Sequence, residues 1–397
     1  MNRLGLFSLL LACSCLLGCD AKIERFSSNQ VFSLTLARSE SANMRDAESD
    51  VADVMFALFG TPSKPEWPTK LLPNTELVNI ESLRRAAGNV SSEKDGTHLG
   101  LFREHCVVCH GISGHGGGPA SQFQVPYPRD FRAGVFKWKL TDRSEKPTRE
   151  DLRNLLVKGI PGTGMPSFSL LASEDLDALV DYVIYLAVRG EVERRLLVLS
   201  VAEMGYGGDK LAPEVRFTYT SDEAPDQVIV DTVQRVVQQW VSSKDKENQG
   251  DHTSSYPEGL DSDEAVERGR KWFHGKTANC VGCHGADGDG GIETLDYDDW
   301  TKEYTTKLGI SPEDQVALQP FRDLGAHKPR PILPRKLRGG TLRGGNDPTR
   351  LFHLINQGIA GTPMPGVEVV EEGDGRGLTE DQIWDLVSFL RAINSSD

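Results

Sequence analysis

Two five-residue stretches restrict this chain more than any other feature: Cys106-Val107-Val108-Cys109-His110 and Cys280-Val281-Gly282-Cys283-His284. C-x-x-C-H attaches c-type haem. Its two thiols form thioethers with the porphyrin vinyl groups, and the adjacent imidazole becomes the proximal iron ligand. Two copies, each with its trailing histidine, predict two covalently bound haem c groups, on Cys106 and Cys109 and on Cys280 and Cys283. C-x-x-C also serves thiol–disulfide exchange and zinc knuckles. The zinc reading needs four tetrahedral ligands per site or one pooled four-cysteine site. Both copies are instead followed by a methionine in a repeated context, and zinc makes little use of thioether.

The repetition extends well beyond the haem motif. Gly159-Ile160-Pro161-Gly162-Thr163-Gly164-Met165-Pro166 matches Gly358-Ile359-Ala360-Gly361-Thr362-Pro363-Met364-Pro365. Pro128-Arg129-Asp130-Phe131-Arg132-Ala133-Gly134 matches Pro334-Arg335-Lys336-Leu337-Arg338-Gly339-Gly340. The copies are 174 residues apart at the haem motif (Cys106 to Cys280) and 199 at the methionine (Met165 to Met364), so the second unit carries 25 extra residues. These fall at about 292–328. Each unit reads helix, haem motif, loop, helix, methionine loop, helix. In the first, Thr148 with Asp151 forms a capping box and Ser173 caps the last helix. In the second, Asp347 and Pro348 make an N-cap and first-turn pair, and Thr379 with Gln382 makes another capping box.

The flanks carry an address. Met1-Asn2-Arg3 followed by the apolar run from Leu4 to Leu17 reads as a signal peptide over residues 1–18, too short for a spanning helix. Leu16-Leu17-Gly18-Cys19 resembles the bacterial lipobox, which makes Cys19 the acylated first residue of the mature chain; Cys13 is the second candidate, with a shorter apolar run. Of seven cysteines, two leave with the signal, one takes lipid and four hold haem, so none is left for a disulfide. A haem gripped by two thioethers can then serve as the centre of a small core. The net charge of −14 argues against nucleic-acid binding and suits a partner with a basic face. Residues 19–95 read as a flexible tether to about Arg45, then a helix capped by Asp50 that stops at Gly60.

In these motifs each unit resembles a class I cytochrome c domain, and the chain resembles a di-haem cytochrome c of bacterial lipoprotein type. The resemblance covers residues 99–190 and 265–394. It implies an all-α fold with an N-terminal helical extension (19–95), a first haem domain (96–190), a helical and polar linker (191–260) and a second haem domain (261–397). It also implies that the helix before C-x-x-C-H crosses the last helix at a glycine and an aromatic residue. Gly269 and Phe273 match this, while the first unit has Phe102 but His98 at the glycine position. Pro119 matches the proline whose carbonyl orients the proximal imidazole, and the second unit has none at that spacing.

The implied iron ligands are His110 with Met165 and His284 with Met364. A thioether favours Fe(II), raises the potential and leaves no open coordination position. The alternative for a methionine is gap-filling in a core, which suits Met55 and Met204 better. His105, His115, His274, His327 and His353 read as surface or supporting residues. Arg129, Arg132, Lys137, Trp138, Arg335 and Arg338 sit where the family places donors to the haem propionates; a solvated basic loop is the alternative. The expected function is single-electron transfer in a bacterial respiratory chain. It would take place on the periplasmic side of the membrane, between a redox donor and an acceptor such as a terminal oxidase. The rivals are a di-haem peroxidase-like enzyme and a cytochrome subunit of a larger dehydrogenase or oxidase complex.

Overall fold

The computed structural model describes residues 24–73, 76–207, 216–219, 226–246, 256–291, 296–371 and 376–395. The signal sequence and Cys19 lie outside them. Helices make up nearly all the regular structure among the described residues, as expected; the strands are two short antiparallel ladders, Gly60–Thr61 with Lys64–Pro65 (β1, β2) and Ser91–Ser92 with His98–Leu99 (β3, β4).

The organising element is α7, which runs unbroken from Ser173 to Ala202 and so passes through the expected domain end at Gly190. It is buried on nearly every side from Leu176 to Leu197, because the N-terminal extension wraps it. The extension supplies α1 (Gln30–Ser39), α2 (Arg45–Phe59) and α3 (Ile80–Ala86). The tether expected up to Arg45 is therefore partly helical. Asp50 is also not a cap: α2 begins five residues earlier, and the Asp50 carboxylate accepts from Tyr206 and Arg216 instead. Gly60 does end α2, with a positive φ of 66° and the Lys64 backbone where a Cβ would stand. Helix α8 (Gln227–Lys246), within the expected linker, docks Ile229, Val233, Val236, Val237 and Trp240 into the same core. Its Trp240 indole donates to Glu191 at 2.8 Å, and Glu191 also pairs with Lys146, so the buried carboxylate is fully answered.

In the first unit the short helix α4 (Leu101–His105) leads into the haem motif, whose Cys106 caps α5 (Val107–His110). No long helix precedes it; α3 packs on α7 in that place, and His98, at the glycine position, lies in β4. Helix α6 (Arg149–Lys158) starts at the Thr148–Asp151 capping box. Ser173 does not cap α7. The N-cap is Ala172, and the Ser173 hydroxyl accepts from Arg153 instead.

The second unit follows the family pattern more closely. Helix α9 (Asp263–His274) precedes α10 (Val281–His284), and α9 crosses the last helix at Gly269. A Cβ there would lie 2.6 Å from the Asp385 carbonyl carbon and 2.8 Å from Phe389 Cβ, so only glycine permits this approach. Its extra segment forms α11 (Asp299–Tyr304) and α12 (Gln315–Asp323). They bury Tyr304, Leu318 and Phe321 against Val31 and Leu34 of α1. The insert and the extension thus clasp each other, and Arg194 on α7 makes a two-pronged pair with Glu303 at 2.6 and 3.1 Å. Helix α13 (Pro348–Gln357) and α14 (Glu380–Asn394) begin at the expected Asp347–Pro348 pair and Thr379–Gln382 box.

Candidate haem centres

Each proximal histidine is aimed by a backbone carbonyl. His110 Nδ1 donates to Arg129 O at 3.0 Å, and His284 Nδ1 donates to Arg335 O at 3.0 Å. The tautomer follows, because a carbonyl only accepts: the proton sits on Nδ1 and Nε2 keeps its lone pair for a metal. Pro119 does not play this part. The carbonyl comes from the repeated Pro-Arg segment instead, which is why the second unit manages without a counterpart to Pro119. Burial pushes the His110 pKa down to about 4, so the ring is neutral, as a ligand must be. Phe131 stacks on it at 4.6 Å between centroids and 19° between planes.

The thiols lie beside these rings. Burial raises Cys106 to about 12 and Cys280 to about 11. Cys109 is partly buried and Cys283 exposed. Held protonated in this way, Cys106 and Cys280 are poor nucleophiles for thiol–disulfide exchange. No three His, Cys, Asp or Glu side chains among the described residues converge on one point as a zinc site requires.

The two methionine loops are built alike, atom for atom. In the first, Ile160 N–H donates to Met165 O at 3.1 Å, the Thr163 hydroxyl to Ile160 O at 2.7 Å, and Met165 N–H to the Thr163 hydroxyl at 3.2 Å. In the second the same three bonds run Ile359 to Met364 at 3.3 Å, Thr362 to Ile359 at 2.8 Å, and Met364 to Thr362 at 3.2 Å. Each loop opens at a glycine of positive φ, Gly159 or Gly358, where a Cβ would meet the backbone after the methionine at 2.6 Å. Met165 and Met364 are both partly exposed, neither sealed in a core.

Of the expected propionate donors, Arg132 is engaged by Asp130, Arg338 by Asp287 O and Arg335 Nη2 by Thr341 O at 2.8 Å, which leaves Arg129, Lys137, Trp138 and the Nε of Arg335. His327 and His353 bond Gly116 O and Thr141 O, each at 3.0 Å, and His274 bonds Arg270 O, so these rings support backbone. Arg143 is a residue that spacing alone did not single out: it donates to Met364 O at 2.7 Å and Thr362 O at 2.8 Å, gripping the other unit's methionine loop. Its sequence signal was weak, a cation in the loop before α6 with no counterpart in the second unit.

Haem fits these residues. Among the buried polar atoms with no hydrogen-bond partner are Arg335 Nε, in the segment whose carbonyl aims His284, Arg343 Nε, Trp300 Nε1, whose ring lies against the second methionine loop at Gly361, and His115 Nδ1, five residues after His110. A paired thiol, a neutral carbonyl-aimed imidazole and a stiffened methionine loop, present twice, define an electron-transfer haem protein. The cytochrome c family model matches residues 100–187 and 266–394, more than half the chain, and the protein belongs to the cytochrome c family. A chain of the reducing HAO-like protein complex of Kuenenia stuttgartiensis is similar at 18% identity and a TM-score of 0.45, covering 77% of this chain and 99% of that one. No curated protein matches the chain.

Proposed function

We propose that the chain is a di-haem carrier of single electrons in a bacterial respiratory chain, with no substrate chemistry of its own. The observation that carries this is the identity of the two methionine loops. When bound, haem c supplies a one-electron Fe(III)/Fe(II) couple at each site. The chain's own residues do the rest. Cys106, Cys109, Cys280 and Cys283 hold the two groups covalently. His110 and His284 present Nε2, with Nδ1 fixed by carbonyls. Met165 and Met364 offer thioether sulfur from loops whose matching internal hydrogen bonds resist displacement, so substrate finds no position to enter.

Lipid on Cys19 would hold the carrier on the periplasmic face of the cytoplasmic membrane, where a donor complex and a terminal oxidase could both be reached. Among the described residues no helix is long and apolar enough to cross a membrane. Potentiometric titration of the purified protein should give two one-electron waves. It should also turn over no hydrogen peroxide. Peroxide turnover by the wild type would overturn the reading and favour a peroxidase-like enzyme.

A further inference from the structure

Where the two units touch, segments that correspond in the repeat lie close to one another. Counterparts in the segment after the proximal carbonyl are offset by 206 residues, as Pro128 and Pro334 or Gly134 and Gly340 are. The same offset pairs Lys137 with Arg343 and Trp138 with Gly344. Trp138 lies against its own counterpart: its ring is 3.5 Å from where a Cβ on Gly344 would stand. Arg335 reaches the first unit's methionine loop, its Nη2 3.2 Å from the Cβ position of Gly162. Its counterpart Arg129 reaches toward Gly361, the equivalent glycine, through an intermediary. That is Trp300 of the insert, whose ring is 3.7 Å from the Arg129 guanidinium and 2.5 Å from the Cβ position of Gly361.

Four cations collect on this seam: Arg129, Lys137, Arg335 and Arg343. All are partly buried, and among the described residues none makes a salt bridge. Arg335 Nε, Arg343 Nε and Trp300 Nε1 have no acceptor. Asp298, Asp130 and Asp299 offset Arg129, and Asp298 and Asp299 offset Lys137, at longer range. They do not suffice: burial, then Arg129 and Arg343, push Lys137 down to about 7, and burial with Arg335 pushes Arg343 down to about 10. Holding four like charges together with so little counter-charge is costly, so a fold that does it is arranged to receive anions. Each haem carries two carboxylates, and two haems bring four to four cations.

We propose that the seam is one shared carboxylate site in which Arg129, Lys137, Arg335 and Arg343, with the Trp300 indole N–H, receive the propionates of both haems, so that each unit's cofactor is held partly by the other unit's residues. This rests on the reading of two haems but not on methionine ligation. The insert then has a local role: it brings in Trp300, for which the first unit has no counterpart, to close one side of the seam. It follows that the two potentials are set jointly, since cations answering propionate charge favour neither unit alone.

The test is the pair of midpoint potentials, measured on the intact di-haem protein, in Lys137→Met, Arg343→Met and the double variant. Each single variant should lower both potentials, by roughly tenfold in the reduction equilibrium, ~59 mV for a one-electron couple. The double variant should exceed the sum of the singles, because each cation covers partly for the other on shared anions. Lys137→Arg should restore wild-type values, separating lost charge from a packing defect. A shift confined to one haem, or strictly additive shifts, would overturn the proposal. Were the anions free phosphate or chloride, added salt of that anion would shift the wild-type potentials, and the proposal would fail on that count also. A high-spin haem would sink the carrier reading and leave these potentials readable.

Discussion

Arg143→Met isolates how one haem unit steadies the other. The guanidinium donates to Met364 O and Thr362 O at 2.7 and 2.8 Å, and nothing in the second unit replaces it. A hydrogen bond from a charged donor contributes about 1.5–3 kcal/mol, and partial exposure here argues for the low end, since water can satisfy the freed carbonyls. Two such bonds, discounted, come to about 2 kcal/mol, a factor of about 30 in the equilibrium between closed and displaced Met364 loop. Methionine keeps the apolar stem, so packing changes little. The assay is the near-infrared band of methionine-ligated Fe(III), followed through a denaturant or pH titration in a Met165→Ala background that leaves only the second site's band. Adding Arg143→Met should move loss of that band to distinctly milder conditions. The companion experiment, with Met364→Ala as background, should show the first site's band unmoved. If the second site's band holds as in the parent, or the first site's band fails instead, the inter-unit grip is not what steadies the loop.

Two further outcomes follow. Gly269→Ala should destabilise the second unit by about 1–3 kcal/mol through overpacking where α9 meets Asp385 and Phe389; chemical unfolding followed by Trp384 fluorescence checks it, and a loss under ~0.5 kcal/mol would mean the helices can part without cost. Cys19→Ser should move the cytochrome from the membrane to the soluble fraction, and a variant that stays membrane-bound places the anchor elsewhere.

Much of the site was legible because covalent and dihedral constraints write themselves into local sequence. C-x-x-C-H, the Thr148 and Thr379 capping boxes, and glycines at Gly159 and Gly358 each demand a residue type at a fixed spacing. The crossing at Gly269 was expected only from the resemblance to class I cytochrome c domains, which implies a glycine and an aromatic residue at that helix contact. What spacing could not reveal is what the units do to each other. Helix α7 runs past Gly190 because the extension and α8 bury its second half, a tertiary effect with no local mark. Asp50 looked like a cap because an acidic residue preceded an apolar stripe, yet its carboxylate is claimed by Tyr206 and Arg216, more than 150 residues away. Ser173 lost the cap position to Ala172 by a similar competition, Arg153 taking the hydroxyl. The aiming carbonyls of Arg129 and Arg335 lay inside a visible repeat, but a backbone acceptor has no side-chain signature; only their equivalence across the two copies hinted at a common duty.

If two haems are present and both irons are closed by histidine and methionine, the oxidised wild-type protein, measured once for the near-infrared band of methionine-bound Fe(III) against haem content, should show a band of the strength of two haems per chain with no high-spin absorption. A band of one haem's strength accompanied by a high-spin signal would contradict it, leaving one of Met165 and Met364 a packing residue beside an open iron.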